Sequence, residues 1–167
     1  MSIQQYDYVD VEKKAQILGC NIPTDLALLP RNFEDAEFKD DLVHEDSVPT
    51  VRILFRQNGI TETSIERDGE KYPQISEKAF EGWIGPTIFV SFALLNQNPH
   101  ILSVALGVIS NYLTDIFRGI PQHQNKASLN IVVQTTKKKT YKRIHYEGPI
   151  SGMEQIPNII REVSSSE

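Results

Sequence analysis

Apolar and polar positions change their spacing several times along the chain, and each change marks an element. Residues 10–18 repeat at helical spacing, and Gly19 stands where a helix C-terminus favours glycine. Pro23, Pro30 and a run of acidic residues then predict an irregular arm with one helical turn over 24–29. Residues 51–57 alternate, with Val51, Ile53 and Phe55 opposed to Arg52, Leu54 and Arg56. Asn58-Gly59 follows as a hairpin turn signal, so strands are expected over 51–57 and 60–66. Asp68-Gly69 offers a further turn and a short strand through Tyr72.

The next stretch reads as helical. Ser76 is placed to cap a helix reaching about Trp83, and Gly85-Pro86 breaks it, with Pro86 opening a second piece to Leu95. Asn98-Pro99 starts a long helix expected to run to Arg118 and stop at Gly119. Residues 128–135 and 140–146 then predict a hairpin across a lysine turn. Ser151 and Glu154 have capping-box spacing for a last helix, although Pro157 would equally place its start near Ile156. The pattern predicts an α+β fold. A small, mostly antiparallel sheet of about five strands in two hairpins packs against an apolar helical hairpin and a C-terminal helix. Residues 1–48 read as an N-terminal arm with a short helix and an acidic segment, 49–163 as the α+β domain and 164–167 as a polar tail.

Charge sharpens this picture. Residues 31–46 hold seven acidic side chains against Arg31 and Lys39, whereas 118–147 are rich in lysine and arginine. Between them Gly82 through Thr114, 33 residues, contain no Asp, Glu, Lys or Arg. A surface helix ordinarily carries a broad charged face. Here the positions left over by the apolar ones, Ser103, Gly107, Ser110, Asn111, Thr114 and Arg118, recur at helical spacing as one narrow stripe, most of it small and uncharged. Such a stripe lets another helix approach closely. The expected interface therefore comprises Ser103, Gly107, Ser110 and Asn111 with the large side chains Trp83, Phe89, Phe92, Tyr112 and Phe117. On that reading Gly107→Leu would overpack the contact.

Composition limits the functional classes. The chain has 167 residues, 40% hydrophobic and 23% charged, which suits one globular domain. A net charge of −5 argues mildly against a protein that coats nucleic acid. Residues 1–10 have neither a basic n-region nor an apolar h-region, so a cytoplasmic protein is expected. The two apolar runs, 83–95 and 101–113, are 13 residues each, short of the ~20 that cross a bilayer. An interfacial hairpin over 83–117 is the membrane alternative.

Candidate chemistry is thin. Cys20 is the lone cysteine, among apolar neighbours, and reads as a small buried side chain. His44, His100, His123 and His145 show no metal-pair spacing, and His145 on a strand reads as a half-buried cross-strand partner. No phosphate loop, nucleophile elbow or dinucleotide fingerprint occurs, so neither catalytic residues nor a cofactor or metal are assigned. Lys137, Lys138, Lys139, Lys142 and Arg143 form a basic patch beside Tyr141 and Tyr146. Three roles compete for it: guarding a sheet edge, pairing with the acidic segment, or gripping nucleic acid. The expected function is non-enzymatic assembly, as a homo-oligomer or as a subunit bound to another protein through the apolar hairpin. Membrane insertion and nucleic-acid binding stand as alternatives.

Overall fold

The computed structural model describes residues 1–76, 82–121, 125–135 and 140–165. The strands are β1 (Ser2–Asp7), β2 (Leu26–Leu29), β3 (His44–Glu45), β4 (Gln74–Ile75), β5 (Trp83–Val90), β6 (Lys126–Gln134) and β7 (Tyr141–Pro149). The helices are α1 (Val11–Leu18), α2 (Val48–Gln57), α3 (Phe92–Gln97), α4 (Ile101–Ile116) and α5 (Ile156–Ser165). The fold is α+β. Its main sheet has the order β1-β7-β6-β5-β2, and β3 pairs with β4 in a separate two-stranded ribbon. Within the main sheet only β5 and β6 run parallel, so α3 and α4 form the crossover between them.

Several elements follow the sequence closely. Asp10 caps α1 by accepting from the Lys13 amide, and Gly19 closes it in the left-handed conformation at φ 76. β6 and β7 form the expected C-terminal hairpin. Past it, a 3-10 turn over Ile150–Gln155 precedes α5, so the last helix begins at Ile156, the later of the two expected starts.

Three expectations are corrected. The alternating segment is α2, not a strand: Val48, Val51 and Phe55 form its buried face while Ile53 is exposed. Pro49 lies in its first turn, and Gly59, at φ 71, follows the helix end rather than a hairpin turn, so 60–66 is an irregular segment and not a return strand. Residues 26–29 are strand β2 rather than a helical turn. The piece expected to be the first arm of the helical hairpin is strand β5, buried from Gly85 to Val90. Ser91 ends it by capping α3, its hydroxyl accepting from the Leu94 amide.

Side-chain alternation on these strands divides the interior in two. On the inner face Leu26, Leu28, Ile88, Val90, Leu129, Ile131, Val133, Ile144 and Tyr146 meet α2, α4 and α5. On the outer face Ala27, Leu29, Phe89, Val132 and Tyr141 are covered by α1 and by Phe33, Leu42 and Ile65 from the loops. The second cover reaches only half of the sheet. Along β6 the outward residues change from Val132, which is buried, to Asn130 and Ser128, and along β7 from Tyr141 to Arg143, His145 and Glu147. Among the described residues, no helix is long and apolar enough to cross a membrane.

Candidate functional site on the open half of the sheet

Strand register assembles the polar half of the outer face. Gln4 of β1 stands opposite His145 of β7, which stands opposite Asn130 of β6. The neighbouring rows are Ser2, Glu147 and Ser128 on one side and Tyr6, Arg143 and Val132 on the other. Rows of alternate residues on three adjacent strands project to one face, so these side chains make a platform. Ile84 and Gly85 extend its floor onto β5, and Arg31 and Glu45, 3.6 Å apart, stand at its side. The platform lines a concavity of about 540 Å³. Gly85 accommodates the inner core: a Cβ would lie 2.5 Å from the Trp83 indole and 3.2 Å from Leu129 Cβ, so a larger residue would displace the indole.

His145 is the centre of this array. Its Nδ1 lies 2.8 Å from Asn130 Oδ1 and its Nε2 lies 3.0 Å from Glu147 Oε1. The ring is thus oriented from both ends, with its side chain 23% exposed. Beside it the Arg143 guanidinium carbon sits 4.5 Å from the centre of the Tyr6 ring. Arg143 Nε is buried without a hydrogen-bond partner among the described residues. The array offers an arginine, an oriented imidazole and neutral hydrogen-bonding groups on a fixed sheet, which is binding chemistry. Among the described residues, no group of three or more His, Cys, Asp or Glu is arranged to hold a metal ion.

A second polar cluster is structural. His44 and Glu66 pair in the interior, with Glu66 also receiving the Ser64 hydroxyl and both Glu62 and Glu66 receiving the Arg52 guanidinium. Burial alone would push the Glu66 carboxyl up, but the hydrogen bonds from His44, Ser64 and Arg52 and the Arg52 charge hold it down at about 2. Asp46, two residues after His44, lies outside this cluster and accepts from the Ser76 hydroxyl. Cys20 is buried as expected, 3.3 Å from the Tyr72 hydroxyl, and burial pushes its thiol up.

The chain matches no family model, no curated protein and no solved structure.

The interface expected from sequence is dispersed by the fold. Phe89 points away from α3 and α4, into the outer core beneath α1, and is 2% exposed. Trp83, Tyr112 and Phe117 pack against the inner core as half-buried side chains, and Phe92 borders a groove between α3 and α5. Ser103, Gly107, Ser110 and Asn111 do lie together, along a groove between α4 and the turn at 150–155. Yet a Cβ on Gly107 would meet nothing within 4 Å, so among the described residues nothing packs closely on the stripe at Gly107. Of the basic patch, Lys137, Lys138 and Lys139 lie outside the described residues. Lys142 pairs with Asp7 at 2.5 Å, and Arg143 belongs to the platform.

The platform itself escaped the sequence pattern. Its cross-strand pair, His145 with Asn130, was legible once β6 and β7 were read as a hairpin. The contribution of β1 was not, because a polar strand with one half-buried residue, Ile3, carries no amphipathic signal.

Proposed function

We propose that this chain is a non-enzymatic assembly protein that pairs with a second copy of itself through the free edge of β1. The supporting observation is what that edge lacks. Among the described residues β1 ends the sheet, and five of its six residues are exposed. Its sequence, SIQQYD, has no lysine, proline or glycine, and its single charge, Asp7, is at the far end and paired with Lys142. Exposed edges are ordinarily blunted by charge, proline, a bulge or a covering segment, because an open row of amides and carbonyls templates another strand.

The opposite edge is treated differently. All four residues of β2 are buried, and the Leu26 carbonyl accepts from the Thr63 amide of a covering segment. Antiparallel pairing of β1 with its copy is self-complementary, as a two-fold contact must be. A two-fold axis at Gln4 sets Gln4 opposite Gln4 and Ser2 opposite Tyr6, and carries the two Asp7 side chains to opposite ends. No like charges meet, and two five-stranded sheets become one.

Light scattering coupled to size-exclusion chromatography tests this. The wild type is expected at twice 19.0 kDa. Gln5→Lys, an exposed position turned away from the platform, is expected to shift it to the single-chain mass with its circular dichroism unchanged. Gln4→Lys places two ammonium groups opposite one another and is expected to dissociate the pair, with partial rescue by salt. A wild type at the single-chain mass at every concentration overturns the proposal.

A further inference from the structure

We infer that the platform on the open half of the sheet is a binding site for the phosphate or carboxylate group of a small polar metabolite, with Arg143 as its anchor. This is independent of pairing at β1. The decisive feature is the state of Arg143. Its side chain is half-buried on the floor of the concavity, its described contact is the face of the Tyr6 ring, and its Nε is buried without a hydrogen-bond partner among the described residues. Other arginines show the usual alternative: Arg52 is held by two carboxylates at 3.0 and 2.8 Å, and Arg118 by Asp115 at 3.2 Å. A partly desolvated guanidinium without such a partner is costly unless an anion completes it. The Tyr6 ring covers one side of the guanidinium, and its two terminal amino groups are the donors that two oxygens of one oxyanion would engage.

The surroundings suit the rest of such a molecule. His145 stands next to Arg143 along the same face; both its ring nitrogens are held, by Asn130 and Glu147, so it walls the site as a fixed ring. Ser128 and Gln4 supply neutral hydrogen-bonding groups within the same cavity. Its volume, about 540 Å³, falls in the range of metabolite sites, roughly 300–1,000 Å³. The lining is largely polar, which favours a hydroxyl-bearing ligand over an apolar one. Two carboxylates of the lining oppose an anion: Glu147, 48% exposed and screened by water, and Glu45, which stands 3.6 Å from the Arg31 guanidinium that offsets its charge.

Calorimetric titration with inorganic phosphate, ribose 5-phosphate and succinate tests the site and separates the phosphate from the carboxylate source. Saturable binding of at least one probe is expected at concentrations up to about 10 mM. Arg143→Gln should weaken it about tenfold or more, and Arg143→Lys should restore only part, because an ammonium cannot bind two oxygens as a fork. Glu147→Gln should strengthen binding, a sign that a purely structural disturbance would not produce. Melting curves of the free variants establish that each is folded. Absence of saturable binding by all three probes overturns the proposal, and so does binding that survives Arg143→Gln unchanged in a folded protein.

Discussion

The imidazole of His44 meets the carboxylate of Glu66, 22 residues further along the chain, with side chains only 3% and 8% exposed. The pair fastens β3 to the loop that follows α2. Arg52 of α2 reaches the same carboxylate, so the helix, the ribbon and the loop share one anchor. A carboxylate removed from water in this way is stable only while its donors remain in place.

Acid should therefore loosen this region first. The Glu66 carboxyl is held at about 2, below its ordinary value of 4.5. A folded-state value below the unfolded one means that its stabilisation is complete above about pH 4.5 and is lost as pH falls towards 2. The expected outcome is a melting temperature that drops steeply across that interval in the wild type. Glu66→Gln should melt lower at neutral pH and show a shallower acid slope. Parallel slopes for the two proteins would remove Glu66 from the account.

Phe55 and Ile53 distinguish a helix from a strand at this position. A strand would set both on one face, but α2 buries Phe55 to 1% and leaves Ile53 50% exposed. Phe55→Ala should cost roughly 3–5 kcal/mol in denaturant unfolding. Ile53→Ala should stay within about 0.5 kcal/mol of the wild type. Similar losses at both positions would mean that both are buried.

These two residues also show why part of the fold was hidden. Alternation over seven residues fits a strand and, at positions 48, 51 and 55, also fits one face of a helix; Pro49 was the local sign that favoured the helix. Residues 83–90 failed for the opposite reason. A continuous apolar run has no period, and only pairing with β2 and β6 makes it a strand buried on both faces. The C-terminal hairpin and α4 were legible because turn, cap and periodicity agree there. β1 was not, since its place depends on β7, more than a hundred residues away, and it brings only Ile3 towards the core.

Gly107 and Gly152 should respond in opposite ways to a single added methyl group. Gly107 lies within α4 with open space where its Cβ would stand, so Gly107→Ala should stabilise the protein by about 0.5–1 kcal/mol through the helical backbone alone. Gly152 is buried against the Tyr146 hydroxyl, with Met1 Sδ 2.8 Å from its Cβ position. That hydroxyl is also committed to the Pro149 carbonyl, so Gly152→Ala should cost roughly 1–3 kcal/mol. Thermal unfolding of both variants checks the contrast. Equal effects would mean that the α4 stripe is as closely covered as the turn at 150–155.

The three lysines that join β6 to β7 in sequence, Lys137, Lys138 and Lys139, connect two strands that are both paired on either side. A guard must stand beside an open strand. β6 lies between β5 and β7, and β7 lies between β6 and β1, so neither is an edge. Replacing Lys137, Lys138 and Lys139 with serine removes three positive charges and takes the net charge from −5 to −8. The larger net charge by itself favours solubility. Both arguments lead to the same outcome: aggregation on warming, followed by light scattering, should be no faster in the triple variant than in the wild type. Gln5→Lys should slow it, because that charge falls on the open edge. Faster aggregation of the triple-serine protein would show that the lysines keep chains apart despite lying between two paired strands.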